Sequence, residues 1–111
     1  MKILLHKLMW AAVILFSSCV STSETKETIK VLIVDGQNNH VVWPKSTFMM
    51  KQTLEQSGRF SVDVYRTQYT WRGAKHLSEF SLNDGKEYKD LPEPKTDPAF
   101  KPDFSQYDVV I

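Results

Sequence analysis

The sequence predicts an α/β fold built on a parallel sheet. Three features carry that expectation: a nearly unbroken aliphatic run at Ile29 and Val31 to Val34, an amphipathic segment starting near Pro44, and an alternating run at Phe60, Val62 and Val64. A strand that is apolar at successive positions is buried on both faces, as in a central parallel strand with helices on each side. Strand, helix and strand within about 35 residues make one βαβ unit, whose crossover is right-handed in nearly all proteins.

Ahead of that unit, Met1 to Lys7 carries Lys2 and Lys7 and no acid, and an apolar run from Leu8 to Phe16 follows. The run is too short to span a bilayer, which takes about 20 apolar residues, but it suits a signal peptide, which needs only about 7 to 15. It ends in Phe16-Ser17-Ser18-Cys19. This stretch resembles the lipobox of bacterial lipoproteins, with Phe16 where an aliphatic residue is usual. The expectation is a lipoprotein signal over 1–18, acylation of Cys19, and anchorage to the outer face of a bacterial membrane in the cell envelope. An ordinary signal peptide cleaved near Ser21, or a buried thiol at Cys19, are the alternatives. Cys19 is the single cysteine, so no disulfide forms within the chain. Two or more acyl chains, at about 0.8 kcal/mol per buried CH₂, hold a protein on a bilayer far longer than one. Residues 19–28 are small and polar, as in a flexible tether, and the domain is expected over 29–111.

Asp35-Gly36 closes the first strand, and Gln37 to Val42 reads as a polar loop. Pro44 suits a first helical turn, where its missing N–H costs nothing, and Ser46 is an alternative cap. Phe48, Met49, Met50 and Leu54 give the helix an apolar face, and Ser57-Gly58 ends it. The second strand follows directly.

Arg66 to Phe104 is long, rich in Pro and charge, and without a sustained period. Trp71, Leu77, Phe80, Tyr88 and Phe100 are too many large apolar groups for a solvated linker, so the stretch reads as an insertion packed on the domain. Ala74, Leu77 and Ser81 mark one short helix, and Pro92, Pro94, Pro98 and Pro102 keep the chain extended. A third strand begins at Tyr107 and Val109 to Ile111. Because such a strand runs about five or six residues, the 111 residues read as the amino-terminal part of a larger α/β domain.

The stretches VLIVDGQNNHVVWPKSTFMMKQTLEQSGRFSVDVYRTQ and PEPKTDPAFKPDFSQYDVVI together resemble the start of a ThuA-like domain of the trehalose-utilisation type, over Lys30 to Ile111. The most specific parts are Asp35-Gly36-Gln37-Asn38-Asn39-His40, Ser57-Gly58-Arg59-Phe60, and Pro102-Asp103-Phe104 before Tyr107-Asp108-Val109-Val110. The resemblance implies a flavodoxin-like doubly wound parallel sheet related to the class I glutamine amidotransferases, and a link to carbohydrate metabolism. It does not imply amidotransferase activity, because members generally lack that cysteine nucleophile.

In α/β folds ligands bind at the carboxyl ends of the strands. Asp35, Gln37, Asn38, Asn39 and His40 cluster there and mix acceptors, donors and one imidazole, which suits sugar hydroxyls or a metal with one imidazole ligand. Asp35, Gln37, Asn39 and His40 are therefore the expected substrate-binding residues, although Asp and Asn also favour turns for local reasons. Trp43 and Trp71 either stack on a sugar ring or pack internally. His76 reads as a surface residue. No Ser or Cys nucleophile motif, Walker loop or zinc spacing occurs, and no cofactor is indicated. Charge excludes a nucleic-acid partner: 14 basic residues face 13 acidic ones, or 12 against 13 without Lys2 and Lys7, with no basic stripe. The expected partners are the membrane, through Cys19, and a carbohydrate, a saccharide or keto-sugar, either as substrate or as the ligand of a non-catalytic binding or interaction lipoprotein.

The tether generates the first prediction. Labelled fatty acid enters the wild-type protein, and Cys19→Ser loses the label and leaves the membrane fraction; equal labelling of the two would exclude the lipid anchor.

Overall fold

The structure, a computed structural model, describes residues 26–111. The expected signal peptide, Cys19 and the tether as far as Thr25 lie outside the described residues. The chain runs β1 (Ile29–Gln37), α1 (Trp43–Gln56), β2 (Phe60–Trp71), α2 (Ala74–Leu77), β3 (Lys89–Leu91), a 3₁₀ turn (Phe104–Gln106) and β4 (Val109–Val110). The four strands form one parallel sheet in the order β3-β2-β1-β4. The chain thus leaves β1 first to one side and then to the other, the order of a doubly wound α/β sheet, as the sequence predicted. Among the described residues no helix is long and apolar enough to cross a membrane.

The core follows from strand parity. Val31, Ile33 and Val62 are buried together, with Ile29, Phe60, Val64 and the helical Leu54 packed against them. Odd positions of β1 and even positions of β2 therefore face α1. Leu32, of the opposite parity, is only 1% exposed, so the middle strand is covered on both faces. On that second face the Tyr107 hydroxyl donates to Asp63 at 3.0 Å. Since β1 lies between β4 and β2, this bond spans the middle strand.

Helix α1 has Pro44 in its first turn, and Gly58 follows its end with φ +67°, both as the sequence indicated. Its packed face differs from the expected one. Trp43, Pro44 and Thr47 are buried, whereas Phe48, Met49 and Met50 are exposed. Thr47, Lys51 and Leu54 continue the stripe, and the Lys51 ammonium bonds both Glu55 and the Val62 carbonyl of β2. A lysine stem packs as hydrocarbon while its head finds a partner, so polarity alone misplaced the face.

The largest departures lie at the carboxyl end of the sheet. β1 continues through Asp35 and Gly36 to Gln37, into residues expected to be loop, and β2 runs to Trp71. Their register is regular from Ile29↔Phe60 to Asp35↔Arg66 and then jumps to Gln37↔Trp71. Residues 67–70 of β2 therefore bow outward opposite Gly36, and the far end of this bow pairs with β3, Tyr69↔Lys89 to Trp71↔Leu91. The short β3 was not anticipated, because three residues carry no period. The predicted third strand is present as β4 beside β1, with Val109, Val110 and Ile111 42–49% exposed.

Gly36 makes the register jump possible. It is buried with φ +125°, and a Cβ there would lie 2.4 Å from Thr67 Cγ2 and 3.1 Å from Thr67 N. Gly36→Ala should combine backbone strain with overpacking and destabilise by at least about 2 kcal/mol. Gly58→Ala, with φ +67° and open space around it, should cost about 1 to 2 kcal/mol. Urea denaturation of the two variants checks the ranking, and a Gly36→Ala protein as stable as wild type would contradict it.

Candidate functional site

Asp35 and Arg66 sit opposite each other at the last regular pair of the β1–β2 register. The guanidinium binds the carboxylate with both arms, Nε to Oδ1 and Nη2 to Oδ2, each at 2.8 Å. The side chains are only 8% and 1% exposed. Burying two charges is costly unless each is fully satisfied, and the bidentate geometry does that for the carboxylate. The guanidinium also lies 4.8 Å from the Trp43 ring centre and 5.3 Å from that of Tyr88. Trp43 in turn donates from Nε1 to the Trp71 carbonyl at 2.9 Å. One ion pair thus joins β1, β2, the start of α1 and the insertion.

The insertion is stitched to the bowed part of β2. Asp90 Oδ1 accepts from the Thr70 hydroxyl and from the Gly73 N–H, each at 2.9 Å, and Trp71 Nε1 donates to the Pro92 carbonyl at 3.1 Å. Tyr88 donates its hydroxyl to Asp84. Burial, reinforced by that bond, pushes the Tyr88 phenol far above its usual range. Burial would raise Asp84 too, but the bonds from Tyr88 and the Lys86 N–H outweigh it and hold the carboxyl below its usual value. The Tyr88–Asp84 bond therefore keeps one protonation state through the neutral range.

Beyond the ion pair, the segment 94–97 borders an open cavity of about 420 Å³ at the carboxyl end of β1. Gln37, Thr67, Lys95, Thr96, Asp97 and Phe100 contribute to its lining, with Val34 and Asp35 behind. Gln37 Nε2 donates to the carbonyls of Tyr69 (2.9 Å) and Lys95 (2.5 Å), which anchors the segment and leaves Oε1 as an acceptor. Asp97 accepts backbone N–H groups at both oxygens, Oδ2 from Gln68 at 3.0 Å and Oδ1 from Ala99 at 2.9 Å. Phe100 packs edge-on against Tyr65, with ring centres 5.0 Å apart.

Of the four binding residues expected from the sequence, Asp35 and Gln37 line this cavity and Asn39 and His40 do not. Asp35 reaches it only as the partner of Arg66. Asn38 Oδ1 accepts the His40 N–H at 2.9 Å, an Asx turn, and the Asn39 carbonyl accepts from Arg72 Nη1 at 3.1 Å. Asn38, Asn39 and His40 are all exposed. Trp43 is core, and Trp71 ends β2 under Arg72, 4.8 Å from its ring centre. His76 differs from the surface residue expected: its side chain is 15% exposed, 3.2 Å from Glu79, with its ring tilted against that of Phe80 at 6.0 Å between centres. The contributions of Thr67, Lys95, Thr96, Asp97 and Phe100 were missed. The clue in the sequence was the spacing of prolines around Lys95-Thr96-Asp97, which holds an extended segment rigid.

Among the described residues no group of three or more His, Cys, Asp and Glu side chains is placed to hold a metal ion. Comparison with family models, with curated proteins and with solved structures finds no match to this chain.

The ion pair generates a stability prediction. Asp35→Ala leaves a buried guanidinium unpaired and should cost about 3 to 5 kcal/mol, enough to abolish cooperative unfolding in a marginal domain. Asp35→Leu combined with Arg66→Met removes both charges and should be more stable than either single variant. A double variant no better than the singles, by urea denaturation, would show that the pair acts through something other than mutual neutralisation.

Proposed function

We propose that this chain is an exported, lipid-anchored protein that binds a carbohydrate, a saccharide or keto-sugar, in the cavity at the carboxyl end of β1. The observation that carries the reading is the cavity's lining. About 420 Å³ suits a sugar ring. Gln37 Oε1 and Thr67 Oγ1 remain as acceptors, since their donors are spent on the Lys95 and Tyr69 carbonyls, while the Thr96 hydroxyl and the Lys95 ammonium add donors for a polyhydroxyl ligand, and Phe100 supplies an apolar wall. The position is the one where α/β sheets place ligands, and the resemblance to ThuA-like proteins of sugar utilisation points to the same chemistry.

The same lining supports recognition ahead of acid–base catalysis. Both carboxylates in it are already committed, Asp35 to Arg66 and Asp97 to two backbone N–H groups. A general acid or base must be free to exchange a proton with the substrate. The binding lipoprotein is therefore the form of the reading best supported by these residues, and turnover would draw on groups other than these carboxylates.

The test separates the cavity from the exposed loop. Thr96→Val removes a hydroxyl at nearly constant volume and should weaken sugar binding about tenfold, because an unpaired group costs about 1 to 3 kcal/mol. His40→Ala should leave binding unchanged. Titration of the full chain with monosaccharides, disaccharides and their oxidised forms reads both. A large loss in His40→Ala with none in Thr96→Val would move the site to the Asn38–His40 turn, and no binding across the panel would remove the carbohydrate reading.

A further inference from the structure

Residues 92–102 connect β3 to the 3₁₀ turn and include Pro92, Pro94, Pro98 and Pro102. Among the described residues no backbone–backbone hydrogen bond ties this stretch to the sheet; the one it makes, from the Phe100 N–H to the Asp97 carbonyl at 3.1 Å, is internal. Side chains supply the ties instead. Trp71 Nε1 donates to the Pro92 carbonyl at 3.1 Å, Gln37 Nε2 donates to the Lys95 carbonyl at 2.5 Å, and Asp97 Oδ2 accepts the Gln68 N–H at 3.0 Å. The Lys101 N–H reaches the Tyr65 hydroxyl at 3.4 Å, the Phe100 ring meets that of Tyr65, and the Lys95 ammonium lies 4.5 Å from the Tyr69 ring centre. None of residues 92–102 is buried.

A stretch with few buried contacts and no share in the strand ladder opens at a lower free energy than the core it rests on. Its own stiffness decides how it opens. Each proline fixes its φ and confines the residue before it to extended backbone, so Leu91, Glu93, Asp97 and Lys101 are restricted as well. Motion is thereby driven into the ends of the stretch, and the ties break together. Opening takes Lys95, Thr96, Asp97 and Phe100 out of the first cavity and leaves Asp35, Gln37 and Thr67 on the sheet. It also takes Asp97 and Ala99 from a second cavity, of about 380 Å³, whose lining includes Tyr65 and Arg66.

We infer that residues 92–102 are a hinged strap that opens from the sheet as one piece while the β1–β2 core stays folded, and that a ligand in the first cavity holds the strap fastened. The second half rests on the reading of that cavity as the binding site and adds the element that regulates it. A ligand that touches both the sheet side and the strap side binds only the fastened form, so its affinity falls with the fraction of open strap.

Gln68 reports the strap directly, because it lies in the bow where pairing with β1 lapses and its N–H is held by the Asp97 carboxylate. Hydrogen exchange at single amides of the full chain compares it with the core amides of β1 and β2. Gln68 exchanges at least about a hundredfold faster than the slowest core amides, at a rate nearly independent of low urea, since local opening exposes little surface. Trp71→Phe removes the tie at Pro92 and alters no residue lining either cavity. It speeds Gln68 about tenfold, and Lys101 at the far end of the strap by the same factor, with the core amides unchanged. Exchange of Gln68 at the core rate, or acceleration that does not reach Lys101, overturns the one-piece strap. The tightest-binding sugar of the titration panel slows both amides as it saturates, and binding without slowing overturns the ligand's hold on the strap. If no sugar binds, the carbohydrate reading fails and the ligand's hold with it, while the exchange rates still decide the strap.

Discussion

The bidentate contact between Arg66 and Asp35 is the constraint on which the carboxyl half of this domain depends. It stands where the regular pairing of β1 and β2 ends, and it holds the strands together as β2 bows away. Because the guanidinium is also in contact with Trp43 and Tyr88, the helix start and the insertion are referred to the same atoms. Gly73 shows how tightly this corner is packed, since a Cβ there would come within 2.3 Å of the Trp43 ring. A buried pair of this kind adds little net stability over an apolar pair of similar shape. What it adds here is position: each cavity has one member of the pair in its wall.

The parallel sheet was legible because Ile29 to Val34 is a physical signal of burial on both faces, and Leu32 and Val31 are each 1% exposed. The limits of α1 were legible in Pro44 and Gly58, whose backbone preferences act locally. The packed face of α1 was not, because Phe48, Met49 and Met50 outweigh Thr47 and Lys51 on any hydrophobicity scale, while the actual contacts follow where Trp43 and Lys51 reach.

The candidate site was half legible. Gln37 was placed by the rule that strand ends carry function, and it lines the cavity; Asn39 and His40 share its loop chemistry but turn out on the surface. Asp35 looked like a ligand-binding acid because its partner lies 31 residues away, at a distance in sequence that no local pattern reports. Thr96 and Asp97 were hidden for the same reason. Their segment meets the sheet through long-range bonds, from the Gln68 N–H of β2 to Asp97 and from Gln37 of β1 to the Lys95 carbonyl.

The register jump between Asp35 and Gln37 also has a meaning for how such a chain can vary. Strand pairing ordinarily ties every residue to its neighbours, so inserting one residue turns all later side chains over. Here the pairing of the core, from Ile29↔Phe60 to Asp35↔Arg66, closes before the bow begins. The length of the bow at 67–70 can therefore change without inverting the faces of Val31, Ile33, Val62 or Val64. The fold keeps its inheritance in one half of the sheet and leaves the dimensions of the cavity open to revision in the other.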